Sequence, residues 1–437
     1  MSLNNISKSY LFKLSIPLFF SNLAIPMVGI VDTGLMGHLS SEKYLAALSI
    51  ASSLITMIFW SFGFLRMGTV GLVSQAFGNK NYYDIALIVC RYLIIALSIS
   101  LFIILMKEPI LYFVKKSFQT SLETQELIIK YISTRIYSAP AELTIYVLVG
   151  LYLGMQKTTI SSFLITFFCL GNIILSSIFV LYLDLGVFGV ALGSVVSAYI
   201  TSGIFLIKTF FYFYKNLDTQ LTLKKIMQKK KFISLTGINF DIFIRTILLT
   251  FSFLWFNYQS SKLGEDFIAI NAILLQFIFF ASFILDAYAF STEAVIGYAI
   301  GRNEKKIFLK TVSNSVQLSV LTGIIISIFY LFFSKYIINI LTSLEFLKFL
   351  SYEFLVWIII IPPIASLCYQ FDGIFIGASQ TKEMRNGMII SFLLFIISSN
   401  FLIIKFGNHG LWLCLLFFMI MRFITLNYYF KTILKKF

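Results

Sequence analysis

Uninterrupted apolar blocks of membrane-crossing length constrain this chain more than any other feature. Residues 93–106, 160–183 and 387–404 contain no Asp, Glu, Lys or Arg. Runs so uniform are not the single apolar face of a helix in water; they mark helices that cross a bilayer. Composition agrees: 59% of the 437 residues are apolar and 12% charged, against about 45–50% and 25% for soluble domains. A water-soluble enzyme is excluded on these grounds, and so are disordered, collagen-like and disulfide-scaffold chains. The expected fold is an all-α polytopic membrane protein.

A net charge of +15 suggests nucleic acid in a soluble protein. Here the basic residues fall in short loops between apolar blocks, so topology and anionic lipid headgroups explain them and no nucleic-acid partner is expected. Cys90, Cys169, Cys368 and Cys414 are scattered without CxxC spacing and read as small apolar residues. The first apolar run continues as a full span without a small-residue cleavage site, so no cleavable signal peptide is expected.

Cutting at polar clusters gives about twelve spans, near 12–36, 44–76, 86–106, 124–153, 158–182, 187–214, 232–260, 266–300, 312–333, 350–378, 385–405 and 409–430. An even number places both termini on one side. Loops with Lys80, Lys157, Arg302, Lys305, Lys306, Lys382 and Arg385 join the lysine-bearing termini there, although Lys107, Lys115 and Lys116 lie opposite. The positive-inside rule makes that side cytoplasmic.

The basic run with Lys224, Lys225, Lys229, Lys230 and Lys231 is the expected linker, 216–231, between lobes 1–215 and 232–437. An internal repeat appears at an offset of about 223. GLVSQAFGN (71–79) lies over AVIGYAIGR (294–302), Pro140 over Pro363, and Gly154 over Gly377. Two pseudo-symmetric six-helix lobes inserted in one orientation follow, a transporter architecture.

Ionisable groups inside spans are costly, about 2.5–3.5 kcal/mol each on insertion scales, and so are candidate functional groups. Asp32 follows Pro17 and Pro26 in the first span. Proline removes a helix hydrogen bond and leaves a bend point, and a carboxylate withdrawn from water readily takes a proton. Asp32 is thus either part of a proton- or cation-operated bend or a water-facing residue near the helix end. Asn172 stands one turn before Ser176, with Ser194 in the next span. These groups suit a carboxylate or small cation, or ordinary interhelical hydrogen bonding.

Asp286 and Glu293, seven apart, share a helix face, and Asp372 lies in the tenth span. A cleft lined by these acids attracts organic cations, unless Glu293 sits at the mouth in water. Arg135 with Glu142, and Asp241 with Arg245, read as ion pairs. Tyr369 and Trp60 are candidate cation–π contacts. His38 and His409 fall at loop edges, and no metal cluster is expected.

VDTGLMGHLSSEKYLAA, FWSFGFLRMGTVGLVSQAFGN, SAPAELTIYVLVGLYLGMQ, NFDIFIR, AINAILLQFIFFASFILDAYAFSTEA and GIFIGASQTKEMRNGM resemble multidrug and toxic compound extrusion exporters, within them the DinF-like branch. The resemblance spans nearly the whole chain. It implies two six-helix bundles, alternating access, and export of amphipathic, often cationic compounds driven by inward H⁺ or Na⁺. It also implies Asp32 as coupling carboxylate, Pro17 as the bend, and Asn172 and Ser194 as its neighbours. The family's fifth-span Asp is Ser176 here. That loss counts against Na⁺, for which Asp32 and Asn172 are the remaining ligands, and makes Glu142 a candidate substitute acid.

The expectation is therefore a monomeric proton-coupled antiporter of a bacterial inner membrane, without cofactor, whose partners are small amphipathic or cationic molecules and the bilayer. Its rival is a lipid-linked-precursor flippase of related architecture, which needs a basic cavity where the intramembrane charges here lean acidic. A lipid-modifying membrane enzyme is disfavoured by two separated histidines.

Overall fold

The structure, a computed structural model, describes residues 7–39, 41–117, 120–217 and 221–437. Residues 218–220 of the expected linker lie outside the described residues. The helices are α1 (Lys8–Gly37), α2 (Glu42–Ser61), α3 (Phe64–Gly78), α4 (Tyr82–Leu105), α5 (Lys107–Ser117), α6 (Leu122–Arg135), α7 (Ala139–Gly154) and α8 (Thr158–Leu181). They continue as α9 (Gly186–Asn216), α10 (Leu223–Ile226), α11 (Lys229–Leu263), α12 (Glu265–Gly301), α13 (Lys305–Leu341), α14 (Glu345–Glu353), α15 (Leu355–Gly377) and α16 (Thr381–Leu434). No strand occurs among the described residues.

Among the described residues eleven helical stretches are long and apolar enough to cross a membrane. The last, α16, is two helices merged across Gly407, whose φ of 54° and ψ of −131° are not helical. A side chain is strained at such a φ, which suits glycine to this hairpin. About twelve spans result, as the apolar blocks require. Several begin on polar caps: Ser41 accepts from the Lys43 amide, Asn81 from Asp84 and Ser121 from Thr124, each cap satisfying an otherwise unpaired helix N–H. Large apolar side chains such as Phe20, Leu105, Phe332 and Ile404 are exposed, as a hydrocarbon-facing surface requires.

The chain divides into two compact units, Met1–Phe19 with Gly237–Phe437, and Phe20–Thr236. In the second, α7 is buried along nearly its whole length against α3, α4, α8 and α9. In the first, α15 takes that place against α12, α13 and α16. The repeat extends to backbone detail. Lys80 and Asn303 both have positive φ (56° and 55°), as do Gln156 and Ser379 (59° and 51°), each pair 223 apart.

Helix crossings match too. A Cβ added at Gly154 would lie 2.9 Å from Val73, and one at Gly377 would lie 3.1 Å from Ile296. Residues 73 and 296 are again 223 apart. Glycine is kept at both positions because the helices touch there without room for a methyl group.

Candidate functional site

Asp32 lies five residues before the end of α1 and is buried, with 7% exposure. Its Oδ1 has no hydrogen-bond partner among the described residues. Arg135, ending α6, acts on it electrostatically, but that guanidinium is already engaged. It ion-pairs with Glu142 in the first turn of α7, donates to Ser138 and to the Tyr131 hydroxyl, and stands 5.3 Å over the Phe59 ring. The Arg135–Glu142 pair expected from the spacing is present. It neutralises two charges that would be costly to bury singly.

Asn172, Ser176 and Ser194 are drawn together between α8 and α9. The Asn172 amide donates to Ser194 Oγ (2.7 Å), and Ser176 donates to Asn172 Oδ1 (3.2 Å). A Cβ at Gly193 would lie 2.6 Å from Ser176 Oγ, so the serine fills a space with little tolerance for a larger side chain. This network closes on itself, and Asp32 Oδ1 is not part of it. The repeat nevertheless relates Asp32 to Trp255 and Ser176 to Ser399. Trp255 Nε1 donates to Ser399 Oγ at 2.9 Å, whereas Ser176 bonds to Asn172 and Asp32 Oδ1 bonds to nothing among the described residues.

Helix α1 runs through Pro17 and Pro26. Each ring deletes the donor to the carbonyl four residues earlier, at Lys13 and Asn22. The helix changes unit between Phe19 and Phe20. Before Pro17, Ser15 Oγ lies 2.8 Å from Ser291 Oγ of α12; beyond it, Ser21 donates to Ser162 of α8 at 3.4 Å. The proline therefore sits between two separately anchored halves.

In the unit Gly237–Phe437, Asp372 of α15 is buried and its Oδ2 accepts from both Arg245 of α11 and Arg422 of α16. Arg245 and Arg422 are themselves buried, and the Nε of each has no partner among the described residues. Asp286 acts electrostatically on Tyr369 together with Asp372 and Arg422. Glu293 is 1% exposed, so it is enclosed rather than bathed in water at a mouth.

The expected Asp241–Arg245 pair is not formed. Asp241 instead accepts from Arg385 (2.6 Å) and Thr381 (3.1 Å) at the start of α16, while Arg245, one turn on, points inward to Asp372. Arg422, which completes the cluster, was not singled out by sequence reasoning; its signal was an arginine inside the last span. Among the described residues four acids are buried, Asp32, Glu142, Glu293 and Asp372, against three arginines, Arg91, Arg245 and Arg422, so the enclosed charges lean acidic as expected, by one.

The four cysteines are free, and no group of three or more metal-ligating side chains occurs among the described residues. His38 lies just past α1, with Nδ1 2.7 Å from the Gly34 carbonyl oxygen. His409, beside the Gly407 turn, accepts from Trp357 Nε1 at 3.0 Å.

Comparison with known proteins follows the same outline. The MatE family pattern matches residues 17–178 and 242–402, one block in each half. DNA damage-inducible protein F of Escherichia coli (strain K12) is 32% identical over 425 residues, covering 96% of this chain and 91% of that protein. Multidrug export protein MepA of Staphylococcus aureus (strain MRSA252) is 24% identical, covering 72% of this chain and 69% of its own. Among solved structures, an outward-facing multidrug resistance MATE family transporter of the MOP superfamily superposes with a TM-score of 0.87 at 15% identity, covering 98% of this chain and 96% of its own. A MOP superfamily transporter from Pyrococcus furiosus Vc1, described as having a binding pocket of reverse polarity that suggests a different function, gives 0.87 at 15% identity over 98% and 96%.

Proposed function

Because the chain belongs to the MatE family, whose members are multi-pass membrane transporters and not enzymes, we propose that it is a proton-coupled antiporter exporting amphipathic, cationic compounds by alternating access. The observation that carries this reading is the buried Asp32 carboxylate with one oxygen unbonded. Such a group has a place for a proton and no permanent partner competing for it. Arg135 is held by Glu142, which leaves Asp32 free to change charge.

A proton on Asp32 removes the cost of burying its charge, and the difference between the two charge states biases whichever arrangement of α1 buries it more deeply. With two backbone hydrogen bonds missing and an anchor on either side of Pro17, α1 is the element that such a bias can bend. Drug and proton need only favour different states; they need not share a site. H⁺ fits better than Na⁺, because Asn172, Ser176 and Ser194 offer only neutral oxygens and are bonded to one another, whereas a Na⁺ site wants further anionic oxygens. The names of MepA and of the multidrug resistance neighbour support the substrate class. The basic loops support an inner bacterial membrane with both termini cytoplasmic.

Purified protein in liposomes tests this: a pH gradient is expected to drive uphill movement of a cationic dye such as ethidium, and a Na⁺ gradient is not. Movement driven only by Na⁺ overturns the proton reading. A second reading, carriage of anionic lipid-linked precursors, is favoured by the Nε donors that Arg245 and Arg422 leave unbonded. Inhibition of dye movement by an anionic amphiphile but not by a second cation would favour it.

A further inference from the structure

We infer that the unit Phe20–Thr236 holds an anionic phospholipid, with an acyl chain in a groove between α4 and α9 and the headgroup on the lysines of the linker. The groove has a volume of about 530 Å³, within the range that retains a small ligand. Ala86, Val89 and Leu93 line it from α4, Leu206 and Phe210 from α9, and Leu221 from the linker. The first three recur at helical spacing, so α4 turns one continuous apolar face into it. Thr209 also lines it, but its hydroxyl is engaged with the Tyr152 hydroxyl at 2.9 Å. A polar ligand finds nothing there to bond, whereas an acyl chain does not need to.

The mouth of the groove differs in kind. The buried Arg91 of α4 donates from Nε to the Ile226 carbonyl (3.0 Å) and from Nη2 to the Lys225 carbonyl (2.7 Å). Two charge-assisted bonds thus fix the linker beside the groove that Leu221 enters. Lys224, Lys225, Lys229, Lys230 and Lys231 of this segment are exposed, as are Lys208 and Lys215 of α9. The five linker lysines pair with no carboxylate among the described residues, and Asp84, which acts on Arg91, is the acid that partly offsets them. Leu223 and Met227, interleaved with these lysines, are 79% and 59% exposed.

Apolar side chains and ammonium groups on one short segment match the boundary between acyl chains and anionic headgroups. An apolar groove alone takes any lipid. A groove beside a segment rich in lysines that no carboxylate neutralises selects the anionic ones.

The test is retention of lipid. Full-length protein is extracted from vesicles of equal phosphatidylglycerol and phosphatidylcholine into a neutral detergent, and bound lipid is counted by mass spectrometry. Wild type is expected to keep about one phosphatidylglycerol per chain, enriched about tenfold over phosphatidylcholine. Lys224→Gln with Lys225→Gln, on exposed positions that leave packing intact, should lower the enrichment at least about threefold. Cys90→Phe, which places a ring in the groove, should remove it.

Equal retention of the two lipids overturns the assignment, as does enrichment untouched by both variants. Sensitivity to the lysine variant alone also overturns it, because charge without the groove is then sufficient. Displacement of the phosphatidylglycerol by ethidium would assign the groove to substrate and end the lipid reading.

Discussion

Asp372 sits in a three-way charge arrangement that makes an asymmetric prediction. Its Oδ2 accepts from both Arg245 and Arg422, and all three side chains are buried. Asp372→Asn leaves two enclosed guanidinium groups facing an amide, and stripping the counter-charge from a buried pair costs about 3–5 kcal/mol. Arg422→Leu is different, because the Arg245–Asp372 pair survives it. The loss is one hydrogen bond to a charged group, about 1.5–3 kcal/mol, offset in part because the unsatisfied Arg422 Nε goes too.

Asp372→Asn is therefore expected to be the more damaging change, and adding Arg422→Leu to it is expected to recover part of the loss. Thermal unfolding of the purified variants, followed by tryptophan fluorescence, reads this directly, since Trp255, Trp357 and Trp412 all lie in the unit that holds the cluster. Losses that simply add in the double variant, or an Asp372→Asn protein as stable as wild type, would refute the reasoning. The same clamp gives Asp372 a permanent pair of counter-ions.

Gly154→Ala and Gly377→Ala force a methyl group into equivalent crossings and should each lower stability by about 1–3 kcal/mol, while Gly203→Ala, with nothing within 4 Å, should be neutral or stabilising in the same melting assay. Glu142→Gln frees Arg135 for Asp32, so gradient-driven dye transport should fall at least about tenfold, a 1.4 kcal/mol effect. Adding Arg135→Met should restore part of it, whereas wild-type transport in the single variant would remove Glu142 from the account. Ser176→Asp adds a carboxylate to α8 at the position where the family carries one, so Na⁺ stimulation of dye efflux should appear, with reduced stability because Gly193 packs against that position.

The parts of this molecule legible in its sequence are those fixed by neighbours along the chain. Apolar blocks gave the spans because hydrocarbon filters composition over about 20 residues. Asn172 with Ser176 was readable because helical spacing brings them to one face, and Arg135 with Glu142 because only three residues separate the end of α6 from the start of α7. The repeat was readable from Gly154 and Gly377, whose close crossings forbid side chains.

What was not legible depends on packing between distant helices. Asp372 meets Arg245, 127 residues away, and Arg422, 50 away, and no spacing rule encodes either contact. Asp241 and Arg245 stand at pairing distance along α11, yet each finds a partner on another helix. The break between α2 and α3 inside one apolar block is hidden for the opposite reason, since both pieces are equally apolar.

On the proposed mechanism Asp32 carries the coupled proton. Proteoliposomes containing wild type or Asp32→Asn test it most directly, with ethidium movement measured once under a pH gradient and once as dye exchange without a gradient. The expected result is that Asp32→Asn abolishes gradient-driven accumulation while dye exchange without a gradient persists. Gradient-driven accumulation at the wild-type rate in Asp32→Asn would contradict the account.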